Sequence, residues 1–241
     1  MSQYANYADD PRYMLSAAEA APNARAAFLK NVYVHLFGAI ASCVALTAIF
    51  MSTPAIQNAI FGVFAVRWGG AILLFGMIAV TWLASSWAHN GASRGVQYAG
   101  LGLSVLAESV IFALILPFAE RVAPGVSQSA ALITLAIFAT LTAVVWYSGA
   151  NFNFLGPILW AGGIAAFVAA IMSIFMGVYL GIWFSAAMIV LASGYILYET
   201  SRILRDYPTE MYVGASLELF TSITTLFWYV IRLLMQLKDG D

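Results

Sequence analysis

Charge is what this sequence has least of. Only 9% of its 241 residues are Asp, Glu, Lys or Arg, against 63% hydrophobic, and the mean hydropathy is +0.88. A soluble domain carries about 25% charged residues, so this chain cannot clothe a globular surface in polar groups and reads as an integral membrane protein. The ten basic and eleven acidic residues nearly cancel, to a net charge of −1, and no polybasic face argues for nucleic acid. Cysteine is down to one residue, Cys43, in an apolar run, which excludes a disulfide framework and a Cys-based metal centre. Histidine is limited to His35 and His89, each read as structural. No HExxH, P-loop, strand-borne GxGxxG or GxSxG elbow occurs, and no Ser–His or paired-Asp arrangement stands out, so neither an enzyme nor a cofactor is expected. No apolar core with a cleavage site opens the chain, so no signal peptide is expected.

What is present is hydrocarbon in span-sized blocks. At about 20 residues per crossing, the apolar runs predict seven transmembrane helices, an all-α bundle. They fall near Val32–Met51, Trp68–Ala88, Val96–Leu116, Ser129–Tyr147, Leu155–Phe175, Gly181–Ser201 and Met211–Leu234. Pro54, Gln57 and Asn58 predict a loop, and Pro117 a stop. Residues 1–27 read as a polar, loosely attached tail, and 28–237 as the membrane domain. Counting Lys and Arg by loop favours a cytoplasmic N-terminus, with Arg12, Arg25, Lys30, Arg94, Arg202 and Arg205 inside. Gly100 and Gly102, the run Ala161-Gly162-Gly163, and the Gly177-x-x-x-Gly181 spacing suggest close helix approach.

Against so apolar a background, acids inside spans are conspicuous. A carboxylate at the centre of a lipid-facing helix costs roughly 2.5–3.5 kcal/mol on insertion scales, so such groups are expected to face an interior site. Glu108 lies mid-span, either as a hydrogen-bonded packing acid or as part of a pathway. Glu199 ends the sixth span, three residues before Arg202, and Glu218 lies two turns into the seventh. These two helices are antiparallel neighbours across a short connector. The spacing therefore predicts that Glu199 and Glu218 approach one another, titrate as a unit and gate a cation path.

The stretches GYILYETSRI (194–203) and YVGASLELFTSITTLFWYVIRLL (212–234) resemble the C-terminal signature of the Bax inhibitor-1 (TMBIM) family of membrane proteins. FLKNVYVHLFGAIASCVALTAI (28–49) is similar to that family's first span, and TLAIFATLTAVVWYSGANFNFLG (134–156) to its junction of spans four and five. The order and spacing hold over nearly all of the chain after residue 25. The resemblance implies seven helices with the last near the middle, and, for some members, a pH-sensitive calcium leak sensed by two aspartates on spans six and seven. The first aspartate position is Glu199 here, the second is Ser222, and an asparagine three residues later is Thr225. Glu218 lies one turn before Ser222 on the same helix face and is expected to supply the displaced acid.

The expected activity is thus a pH-modulated leak of calcium or other cations in a bacterial-type inner membrane, aiding ion homeostasis and stress tolerance. Glu199 and Glu218 act as gate acids and transient calcium contacts. Ser222, Thr225 and Glu108 line the path, and Arg202, Arg205 or Arg94 forms a basic latch. No resident metal is expected, and membrane lipid is the surrounding partner. The resemblance also implies an alternative, a non-conducting regulator that binds a membrane-anchored ATP-dependent protease through residues 1–27.

Overall fold

The computed structural model describes residues 16–90 and 93–238, and these form eight helices joined by short connectors. They are α1 (Pro22–Ser52), α2 (Pro54–Phe64), α3 (Gly69–Ala88), α4 (Arg94–Val122), α5 (Val126–Ser148), α6 (Leu155–Met176), α7 (Ile182–Arg205) and α8 (Tyr212–Lys238). All but α2 are long and apolar enough to cross a membrane, giving seven candidate spans.

Four boundaries differ from the sequence expectation, each for a local reason. α1 starts ten residues before its apolar run, at Pro22, whose fixed φ suits a first helical position. The expected loop at Pro54 is instead the short helix α2. Thr53, immediately before that proline, is forced out of the helical region to φ −107° and ψ 101°, which breaks α1 from α2 rather than unwinding both. Pro117 does not stop α4, which continues to Val122. A proline there leaves the carbonyl of Ala113, four residues earlier, without its amide partner. Gln57 on α2 donates its side-chain N–H to that same carbonyl at 3.4 Å, so the freed group is met from a neighbouring helix, the usual way membrane helices accommodate proline. Finally, α7 takes in Arg202 and Arg205 as its last turn, where cations complement the helix dipole. This shortens the connector to α8.

The core is a face of α1 (Phe28, Val32 and Leu36, at four-residue spacing) packed on α8 and α4. α8 touches α1, α3, α4, α5 and α7, and half of its most apolar window is buried, the largest share of the seven spans. α6 is the opposite case: it leans chiefly on α7 and only Leu159 is fully buried. Trp160, Trp183, Val190 and Leu132 point outward, as a lipid-facing surface requires. Of Gly100 and Gly102, both expected to mark a close helix approach, only Gly100 does so, between α4 and α3. A Cβ there would sit 2.5 Å from the Ala84 carbonyl oxygen and 2.7 Å from the Ala88 amide nitrogen, whereas one on Gly102 would meet nothing within 4 Å.

Candidate functional site

The close α3–α4 approach at Gly100 carries the last turn of α3 inward, and Gly214 admits it beside the first turn of α8. A Cβ on Gly214 would lie 3.1 Å from the Ala88 carbonyl and from the ring of His89. His89 caps α3 and is aimed between α8 and the α7–α8 connector. Its Nδ1 sits 2.8 Å from the Ser85 carbonyl, which can only accept, so Nδ1 carries a proton and Nε2 is the variable nitrogen. Nε2 faces the Tyr207 hydroxyl at 2.9 Å and Glu218 Oε1 at 3.3 Å. Arg202 on α7 completes the group: its Nη1 lies 3.6 Å from Glu218 Oε2, and its guanidinium stacks over the rings of Tyr198 and Tyr207 at 5.4 and 5.3 Å. The hydrogen bond to Glu218 raises the His89 pKa from its ordinary 6.5, against the opposing effect of burial. Burial raises the Tyr207 phenol, which therefore stays protonated and able to donate.

Beneath this cap lies a cavity of about 130 Å³ bounded by α3, α4, α7 and α8. Glu199 and Glu218 both line it, with Thr81, Ser85, Ser104 and Thr221 among the other walls. The two acids that the sequence spacing brings together thus share one chamber. Each carboxylate also has a partner of its own. Ser222 Oγ donates to Glu199 Oε2 at 2.7 Å, while Glu218 is held by His89 and Arg202. Glu199 is 8% exposed and looks inward from α7, and Glu218 faces the same space from α8. The helix count explains this. Glu199 is six residues from the C-terminal end of α7 and Glu218 is six residues inside α8, so they lie at similar depth, and α3 adds His89 from a third side.

The remaining expected residues separate. Ser222 contacts Glu199 from outside the chamber, and Thr225, half-buried one turn deeper, does not line it. Glu108 bonds to Thr224 of α8, away from the other acids. Of the three basic residues only Arg202 reaches an acid of the chamber. Arg205 donates to the Gly149 carbonyl, tying α7 to the end of α5, and Arg94 pairs with Glu210 at 2.8 Å on the exposed surface. Among the described residues no group of three His, Cys, Asp or Glu is arranged to hold a metal.

His89 and Tyr207 are the functional candidates that sequence reasoning passed over. A lone histidine closing an apolar helix carries no spacing signal, and only its proximity to Glu218, 129 positions later, gives it a charged partner. The tail differs as well. Residues 16–21 are not loose: Ala17 is fully buried and its amide donates to the Tyr207 carbonyl at 2.8 Å, while Arg25 donates to the Leu204 carbonyl at 3.1 Å. The terminal part of the expected protease-binding tail, residues 1–15, lies outside the described residues.

Comparison with known proteins agrees with this architecture. Residues 25–239 match the family model described as "Inhibitor of apoptosis-promoting Bax1". A Golgi anti-apoptotic protein of Vaccinia virus (strain Lister) is 28% identical over 238 residues, covering 97% of this chain and 95% of the viral one. Two Arabidopsis thaliana proteins match in part. A BI1-like protein is 28% identical over 44% of both chains, and Protein LIFEGUARD 3 is 24% identical over 59% of this chain and 58% of its own.

Proposed function

The chain belongs to the Bax inhibitor-1 family, and from that premise we propose that it is a pH-modulated leak for cations, calcium above all, whose gate is the chamber holding Glu199 and Glu218. The observation that carries this reading is the shared chamber itself: two carboxylates and several hydroxyls facing one space inside a membrane bundle. Carboxylate and hydroxyl oxygens are the hard donors that calcium takes. The chamber's 130 Å³ exceeds the roughly 30 Å³ share of one water, leaving room for an ion with part of its hydration.

His89 sets the direction of the pH response. Protonated, it presents Nε2–H to Glu218 and, with Arg202, competes with a cation for that carboxylate. Its pKa is raised in the folded protein, so this hold is complete below the ordinary histidine value of 6.5 and is lost as pH rises through the raised one. Deprotonated, Nε2 becomes an acceptor for Tyr207 and releases Glu218 to the chamber. The leak therefore rises with pH. With the N-terminus cytoplasmic, in a bacterial inner membrane, the cap faces the cytoplasm and senses its acidity, linking calcium entry to ion homeostasis under stress.

The test is calcium uptake by proteoliposomes. Glu199→Gln and Glu218→Gln are each expected to lower the uptake seen at alkaline pH by about tenfold, the worth of one charge-assisted contact of 1.5–3 kcal/mol. Uptake unchanged in both would remove the chamber from the path.

A second reading, a regulator that binds a membrane-anchored protease, is favoured by one contact. Residues 16–21 hold the connector through Ala17 and Tyr207, so a partner grasping the N-terminal segment would pull on the same cap. In that reading, removing residues 1–15 abolishes function and the two glutamine variants do not.

A further inference from the structure

An apolar cavity within the bundle is separate from the acid chamber. A cavity of about 370 Å³ lies between α1, α4, α5 and α8, within the size range of small-molecule sites. Its walls are mostly hydrocarbon, with Ile40, Phe112, Leu135, Ile223 and Phe227 among them, and no carboxylate or cationic side chain lines it. A cation or water-filled path has nothing to hold it there.

Three threonines break that pattern, and two of them are without an oxygen or nitrogen partner. Thr47 on α1 and Thr134 on α5 line the cavity and are 5% and 3% exposed; the Thr134 hydroxyl has no hydrogen-bond partner, and that of Thr47 has only the weakly bonding Cys43 thiol beside it. A threonine within a helix can return its hydroxyl to the carbonyl four residues back. Thr140 does so to Ala136 at 2.8 Å, as does Thr53 to Ile49 at 2.8 Å. Thr47 and Thr134 do not. A buried hydroxyl left unsatisfied costs roughly 1–3 kcal/mol, so a pair of them facing one cavity points to a ligand that accepts.

The cavity also has a door. α1 and α5 pack on α4 and α8 but hardly on each other. They meet at one end, where Trp146 Nε1–H donates to the Tyr33 hydroxyl at 3.2 Å. Towards the other end Val44 of α1 and Leu135 of α5 line the cavity and are yet 65% and 47% exposed, so the gap between them faces the bilayer. Thr47 lies five residues from the end of α1 and Thr134 eight residues from the start of α5. At 1.5 Å per residue both hydroxyls sit about 8–12 Å below the helix ends, with Ile40 and Phe112 deeper and Met51 and Ala131 nearer those ends.

We infer that this cavity takes one acyl chain of a membrane glycerolipid through the α1–α5 gap, with its ester carbonyls accepting hydrogen bonds from Thr47 and Thr134. A lipid enters from the bilayer with its chain pointing inward and its esters nearer the surface, the same polarity as hydrocarbon depth and shallower hydroxyls. The site also adjoins the acid chamber. Thr224 in its wall donates to the Thr221 carbonyl at 3.0 Å, and Thr221 lines the chamber.

The experiment uses the full chain in phosphatidylcholine vesicles doped with a phosphatidylcholine carrying a photoreactive diazirine along one acyl chain, with adducts mapped by peptide mass spectrometry. Adducts are expected on the lining segments of α1, α5 and α8 at higher yield than on the outer face of α6, which serves as the bulk-lipid control. Ala131→Phe, which fills the cavity, and the double variant Thr47→Val with Thr134→Val, which keeps its shape but removes both hydroxyls, should each lower the lining adducts about threefold or more relative to α6. An ether-linked probe, which lacks the ester carbonyls, should label the wild type as weakly as the ester probe labels the double variant. Lining adducts that merely track those on α6 would overturn the site. Equal labelling by ester and ether probes would overturn the pairing with the threonines.

Discussion

The side chain that decides whether the chamber is built as described is Ser222. It gives Glu199 its hydrogen bond, at 2.7 Å, and both side chains are buried. Ser222→Ala leaves a buried carboxyl without that donor, so it should destabilise the purified protein by about 1–3 kcal/mol in thermal unfolding. No change would mean that Glu199 is met from elsewhere. At this scale the sequence was informative about acids and much less so about their partners. Glu199 and Glu218 were legible because a charge inside hydrocarbon is costly wherever it falls, and that cost is local to the residue. Ser222 was marked only by the position of the family aspartate. His89 had no local signature, because its role comes from Gly214 allowing α3 to touch α8, a fact of packing rather than of spacing.

Among the helices, the α3–α4 contact positions His89, and Gly100 permits it. Gly100→Ala would press a methyl onto the backbone of Ala84 and Ala88, atoms that no rotamer change can clear, and overpacking of this kind costs about 1–3 kcal/mol. The variant should unfold at lower temperature, and Gly102→Ala, whose Cβ meets nothing, should unfold like the wild type. Element identity was largely readable, since seven hydrocarbon runs leave little alternative to seven spans. Boundaries were not. Pro117 reads as a stop because proline removes an amide. The chain runs on because Gln57, sixty residues earlier, supplies the missing donor. Arg202 and Arg205 read as connector because they are charged, although a helix C-terminus favours cations.

For the whole molecule, the segment at Ala17 and Ala18 is bound to the last connector. The Ala17 amide reaches Tyr207, whose hydroxyl faces His89, so the N-terminal segment and the chamber's cap form one unit. Ala17→Pro removes that donor. It should speed hydrogen exchange over the α7–α8 connector and lower stability by about 1 kcal/mol, the net worth of one hydrogen bond. Unaltered exchange there would show that the segment does not hold the cap. This coupling was invisible in a sequence whose first residues read only as polar, because a strap is defined by what it touches.

If His89 and the two acids form one pH-responsive gate, calcium uptake by proteoliposomes must follow the histidine's protonation as pH is varied. In the wild type, uptake should rise as pH passes upward beyond the ordinary histidine value of 6.5, since the protonated ring that holds Glu218 is lost there. His89→Gln, neutral at every pH, should leak at acid pH where the wild type is held closed, with the rise across the histidine range gone. A His89→Gln profile that overlays the wild type's, or wild-type uptake that falls as pH rises, would contradict the account.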